Sequence, residues 1–299
     1  MMIKLSLKFM FKGSITALVS PFNNGKLDIE AYEKHIDFQI QGGSNGIVPC
    51  GTTGESPNLS HDEHQLLIER AVKISSGRIP VIAGTGSNST EEAVMLTKYA
   101  EKSKVDAVLV VTPYYNKPTQ EGLYQHYKKI NDNCGIPIII YNIPGRSVVD
   151  MTVDTMARCY ELKNIIGVKD ATGDLERVDQ QKLKMGREFL LLSGNDENTY
   201  EFNKRGGSGC ISVSANVVPN LCSEFHNYCN NNNFDKAKIL FEKLLPLHDV
   251  LFVESNPVPT KYSLNLIGKM SDEVRLPLVR ASAKSKEKIK AVLKNLSLL

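Results

Sequence analysis

A lysine that closes a β-branched apolar run is a candidate nucleophile, and Lys169 closes such a run at residues 165–169, just before Asp170, Ala171, Thr172 and Gly173. Sheltered from water and without a carboxylate partner, an amine there is expected to have a lowered pKa and to attack a carbonyl carbon. The resulting Schiff base is an electron sink that stabilises a carbanion on the adjacent carbon. In isolation a strand-end lysine is more often a solvated edge charge. The functional reading therefore depends on what other segments bring to the same place.

Three other apolar runs pass into polar turns. Residues 46–49 lead into Gly51, Thr52, Thr53, Gly54, Glu55 and Ser56; residues 107–111 lead into 112–116; residues 136–141 lead into 142–146. Gly51 and Gly54 let the first loop turn, and the hydroxyls of Thr52 and Thr53, with backbone N–H groups, can hold a small carboxylate. It is not a phosphate loop, because the lysine of that motif is missing. Tyr141 can serve as acid or base beside an imine, in a relay with Thr52. Arg146, on a Pro-Gly turn, suits bidentate recognition of a second carboxylate, and its permanent charge disfavours an ammonium nearby. The bland alternatives are an ordinary turn for 51–56 and a packing role for Tyr141.

The elements that must position these residues alternate in type. Candidate strands are 14–19, 46–49, 80–83, 107–111, 136–141, 165–169, 189–192 and 209–213, separated by helical patterns at 28–41, 61–75, 90–102, 121–131, 153–160, 174–185 and 197–204. Strand followed by helix, repeated at even spacing, predicts a (β/α)8 TIM barrel over residues 10–225, in which residues after each strand converge on one face. Beyond it, 220–230, 234–251, 257–268 and 283–296 read as helices, so residues 226–299 form a C-terminal helical appendage. Residues 1–9 look like a dispensable extension before Met10, because Lys4 and Lys8 interrupt any signal-type apolar segment.

A chain of 299 residues with a net charge of +3 gives no basis for nucleic-acid binding, and no apolar run is long enough to span a membrane. Six scattered cysteines without a C-x-x-C pair suit reduced thiols in a cytoplasmic protein rather than disulfides or zinc. No histidine pair has metalloprotease spacing, so no metal site is expected. Residues 84–89, Gly-Thr-Gly-Ser-Asn-Ser, lack the third glycine and downstream acid of a dinucleotide site. Ser60 with Glu63 reads as a capping box.

Together the segments GTTGES, VIAGTGSN, VTPYYNKPTQEGLYQHY, YNIPGR, IIGVKDATGD, LLSGND and FVESNPVPTKY, spread over nearly the whole chain, resemble the dihydrodipicolinate synthase family of pyruvate-dependent Schiff-base (class I) aldolases. The resemblance implies that Lys169 forms an imine with pyruvate, with no other cofactor. Tyr141, Thr52 and Tyr115 would form the proton relay, Tyr115 reaching the neighbouring subunit of a homotetramer built as a dimer of dimers. Thr53 would help hold pyruvate, Arg146 would bind L-aspartate 4-semialdehyde, and Gly194 and the Ile211 carbonyl would line the pocket. Ser56, Leu59, His61, His64, Asn88, Glu92 and Tyr114 match a site for feedback inhibition by L-lysine, with Pro57 where a small residue is common. Two alternatives remain open: the same chemistry on another substrate, as in N-acetylneuraminate lyase, or a catalytically silent barrel that binds.

Overall fold

The computed structural model describes residues 10–299; the expected extension at 1–9 lies outside the described residues. Eight parallel strands form the barrel: β1 (Gly13–Ala17), β2 (Gly46–Val48), β3 (Ile82–Gly84), β4 (Ala107–Val111), β5 (Ile138–Asn142), β6 (Ile165–Asp170), β7 (Leu190–Ser193) and β8 (Gly209–Ser212). Their hydrogen-bonded order is β2-β1-β8-β7-β6-β5-β4-β3, and the Ile47–Val81 bridge closes the ring. Each strand is followed by its helix: α1 (Ile29–Gln41), α2 (His61–Ser75), α3 (Thr90–Lys102), α4 (Gln120–Asn131), α5 (Val153–Tyr160), α6 (Glu176–Met185), α7 (Thr199–Lys204) and α8 (Pro219–Asn230). The TIM barrel and its C-terminal helices are thus as the alternation of patterns predicts.

The strands are short, apolar and β-branched because both faces are buried. Ile15, Val48, Ile82, Leu109, Ile139, Leu192 and Ile211 fill the barrel interior, while Ile47, Val108, Ile140, Val168 and Leu191 face the helices. Helix starts follow the side-chain capping rule. Asp28, Ser60, Ser89, Thr119 and Thr152 each accept a first-turn backbone N–H, and Ser60 with Glu63 completes the capping box. Two pieces escape the sequence reading: the two-residue strands Phe22–Asn23 and Lys26–Leu27, and the short helix Pro144–Ser147.

Three more helices follow, α9 (Phe234–Val250), α10 (Val258–Leu266) and α11 (Ala283–Asn295). The expected boundary after residue 225 falls inside α8. One apolar cluster joins Val19, Val213 and Val217 from the barrel to Leu244, Leu247, Tyr262, Ile289 and Leu293 from these helices. The C-terminal helices therefore share a core with the barrel.

Candidate active site and adjoining cleft

Lys169 reaches the barrel interior because of an irregularity in β6. The register runs Ile138 to Ile165 and then Ile139 to Gly167, so Ile166 is an extra residue on the β6 side. Ile165 faces the helices and Ile166 the interior, yet Val168 faces the helices again. Strict alternation from Ile166 would turn Lys169 outward; the bulge resets the phase and turns it inward. Gly167 permits this, since a Cβ there would sit 2.3 Å from the Leu190 carbonyl oxygen.

Turned inward, Lys169 is buried at 6% exposure and lies beside Tyr141, its register partner on β5, with Nζ 4.2 Å from the ring centroid. Gly194 covers the other side: a Cβ there would come within 3.2 Å of Lys169 Cε. Ile211 stands on β8, buried in the same interior cluster as Tyr141. Among the described residues no carboxylate is paired with Lys169. Its neighbour Asp170 points the other way and accepts from Thr172 Oγ1 at 2.6 Å, Gln181 Nε2 at 2.7 Å and Arg177 Nε at 3.1 Å. The opposite pleat direction thus keeps this carboxylate from the amine.

The loop after β2 folds tightly over the barrel rim. Cys50 and Glu55 both adopt left-handed backbone, at φ 56° and 54°. Thr53 is buried, and its Oγ1 accepts from Asn256 Nδ2 at 2.9 Å, which directs its own proton elsewhere. Thr52 is half-buried and faces a cleft of about 410 Å3 shared with Arg146. Arg146 is exposed on the short helix Pro144–Ser147.

That cleft also contains Ser56, Pro57, Leu59, His61, His64, Glu92 and Tyr114. Six of the seven residues matched to an effector site therefore gather there. Asn88 is not among the lining residues; its carbonyl accepts from Asn116 Nδ2 at 2.8 Å. Glu92 accepts from Ser87 Oγ and lies 3.0 Å from His61 Nε2, and these contacts, the serine first, hold its carboxyl below the usual range. Burial lowers the pKa of His64, which leaves a neutral ring whose Nε2 is 2.9 Å from the Gly84 carbonyl oxygen and whose Nδ1 has no partner among the described residues.

Tyr115 is exposed, whereas Lys169 and Tyr141 are buried. It is 87% exposed with φ at 72°, a left-handed conformation rarely taken by an aromatic residue. In residues 84–89 a Cβ on Gly86 would meet the Val111 amide nitrogen at 2.4 Å, and Ser89 caps α3. Among the described residues no group of three or more His, Cys, Asp or Glu side chains is arranged to hold a metal, and no helix is long and apolar enough to cross a membrane.

Several supporting residues carried no signal in the sequence beyond their motifs. Asp196 is buried and accepts from Ser212 Oγ, Val213 N and Ser214 N at 2.5–3.0 Å, which fixes the end of β8 beyond Ile211. Burial works against its charge, but His248 and these donors hold its pKa below the ordinary value. Asn256 precedes a proline in the C-terminal region and contacts Thr53 from 203 residues away, a distance no local pattern encodes.

The dihydrodipicolinate synthetase family model matches residues 10–296, so the chain belongs to this family and is a lyase. A 4-hydroxy-tetrahydrodipicolinate synthase from Pelagibacter ubique is 62% identical over 293 residues, 97% of this chain and all of that protein. The crystal structure of the chloride-inhibited dihydrodipicolinate synthase from Acinetobacter baumannii complexed with pyruvate is 43% identical, with a TM-score of 0.95 over 96% of this chain and 99% of that one. The Cyanidioschyzon merolae enzyme with lysine bound is 34% identical, with a TM-score of 0.94 over 97% and 99%.

Proposed function

We propose that the chain is a 4-hydroxy-tetrahydrodipicolinate synthase that condenses pyruvate with L-aspartate 4-semialdehyde, in the biosynthesis of diaminopimelate and lysine. The observation that carries the reading is Lys169: a buried amine, with no carboxylate paired to it among the described residues, between the Tyr141 ring and Gly194 at the C-terminal rim of the barrel.

The Lys169 amine attacks the ketone carbon of pyruvate, and loss of water leaves an imine on Lys169. Thr53, its oxygen lone pair engaged by Asn256, has its proton free to donate to the pyruvate carboxylate. Loss of a methyl proton gives the enamine, whose carbon attacks the aldehyde of the semialdehyde. Tyr141 and Thr52 carry protons to and from these atoms. Arg146 on the cleft side receives the second substrate's carboxylate. The semialdehyde's amine then displaces Lys169 from the imine carbon, closing the ring and freeing the enzyme.

Tyr115, exposed and strained in the single chain, completes the relay across a subunit contact in a dimer of dimers. The cleft that holds Glu92, His61 and Tyr114 receives L-lysine as feedback inhibitor, Glu92 meeting an amine; the lysine-bound structure of a relative supports this assignment. The 10–225 barrel carries the chemistry, and residues 226–299 pack against it. The enzyme works in the cytoplasm, with no cofactor besides the covalent imine.

Borohydride reduction in the presence of pyruvate should place one pyruvate-derived label on Lys169, and a coupled assay should show turnover with aspartate semialdehyde but not with N-acetylneuraminate. A label on another lysine, or turnover of the sugar acid alone, overturns the reading.

A further inference from the structure

The C-terminal region carries a second buried lysine that the aldol chemistry does not use. Lys261, on α10, has 0% exposure, and its Nζ lies 2.6 Å from Glu55 Oε1, which is equally buried. The ammonium also donates to the Glu273 carbonyl at 2.7 Å and sits 4.1 Å from the Phe22 ring centroid. Burial pulls its pKa down to about 8 against the opposing pull of Glu55.

Glu55 is no ordinary partner. It belongs to the loop that presents Thr52 and Thr53, and it holds a left-handed backbone at φ 54°, a strained state for a residue with a side chain. Its second oxygen accepts from the Arg275 amide at 3.1 Å. The Arg275 guanidinium in turn binds Glu63 at 2.6 and 2.7 Å, the Asn58 carbonyl at 2.9 Å and the Gly25 carbonyl at 2.9 Å. Glu273 closes the circuit by accepting from the Asn24 and Gly25 amides at 3.0 and 2.6 Å. Residues 256–275 thus grip the loop after β2 and the first turn of α2, from Thr53 to Glu63. A pair of buried charges is a weak source of net stability, since desolvation offsets much of the attraction, so its use here calls for another account.

We propose that Lys261 is a positioning residue for pyruvate binding: its ammonium anchors Glu55 and so fixes the strained loop that aims Thr52 and Thr53 at the imine site. This rests on the synthase reading above. Arg146 lies on the short helix Pro144–Ser147 after β5, so the effect falls on pyruvate more than on the semialdehyde.

The test compares wild type, Lys261→Met and the double variant Glu55→Gln/Lys261→Met in the full-length protein. The double variant leaves no unpaired buried charge, which keeps the experiment informative if the single variant fails to fold. Two readouts are taken below the measured unfolding temperature: the pyruvate concentration that half-saturates borohydride-trapped imine, and the steady-state KM for each substrate. The expected result is a rise of about tenfold or more in both pyruvate values, the scale of losing one hydrogen bond to a charged group, with a smaller change in the semialdehyde KM. A merely structural role would reduce the active fraction, lowering kcat and leaving the pyruvate values unmoved; that result in a folded variant overturns the proposal. Absence of any trapped imine in wild type would instead overturn the synthase reading itself.

Discussion

Adding one methyl group at Gly194 tests whether the packing around Lys169 sets its reactivity. A Cβ there would lie 2.6 Å from Ala171 Cβ and 3.1 Å from Ala171 Cα, against ordinary contact that begins at 3.4 Å, and 3.2 Å from Lys169 Cε. Neither backbone is free to retreat: the Gly194 amide donates to the Asp170 carbonyl at 2.7 Å, and the Ala171 amide donates to the Asn142 carbonyl at 2.9 Å. The far end of the lysine side chain is the softest neighbour, so part of the misfit is relieved by moving the amine. Overpacking of this kind destabilises by about 1–3 kcal/mol. Displacing a reacting atom by about 1 Å can lower a rate by roughly a hundredfold. Gly194→Ala is therefore expected to lose about 1–3 kcal/mol in urea unfolding and to form the trapped pyruvate imine some ten- to a hundredfold more slowly at saturating pyruvate. The assay is quenched-flow borohydride trapping with mass detection of the Lys169 adduct. Wild-type imine kinetics in a folded Gly194→Ala protein would refute the claim that this glycine holds the amine in place.

Two further outcomes follow from buried titrating groups and from the cleft. Burial pushes His35, His126 and His226 down to about 4. Below pH 6.5 the unfolded chain takes up protons that the native protein refuses, so stability falls as pH drops from 6.5 towards 4, by up to about 1.4 kcal/mol per pH unit for each ring. Urea unfolding at pH 7, 5.5 and 4.5 should show a progressive loss, and a flat profile across that window would show that these rings are not neutral in the native state. In the cleft, Glu92→Gln should raise the half-inhibitory L-lysine concentration by about tenfold or more, because a charge-assisted contact becomes a neutral one; unchanged inhibition curves would remove Glu92 from the effector site.

Much of the architecture is legible in the sequence because it is encoded locally. Runs such as Ile165–Val168 and Ala107–Val111 carry β-branched and apolar residues, which suit strands buried on both faces. Capping residues such as Ser60, Ser89 and Thr152 mark where helices begin. The barrel rule then brings the ends of β2, β4, β5 and β6 to one rim, which is why Thr52, Tyr141, Arg146 and Lys169 could be picked out by their place in the chain. Tyr115 shows the limit of that rule. It follows β4 as expected, yet its left-handed backbone turns it into solvent.

What the sequence by itself determined is the alternation of strand and helix, the turn chemistry after each strand, and the presence of a lysine at the end of β6. Those depend on residue type and spacing over a few positions. Tertiary structure alone decided which way that lysine points, because an extra residue at Ile166 resets the pleat only in register with Ile138 and Ile139 of β5. It also decided what holds the facing loop. Lys261 and Glu55 are 206 residues apart, and nothing short-ranged distinguishes that lysine from a surface charge. The ion pair arises when α10 packs against the barrel rim and removes both groups from water, leaving each as the partner the other requires.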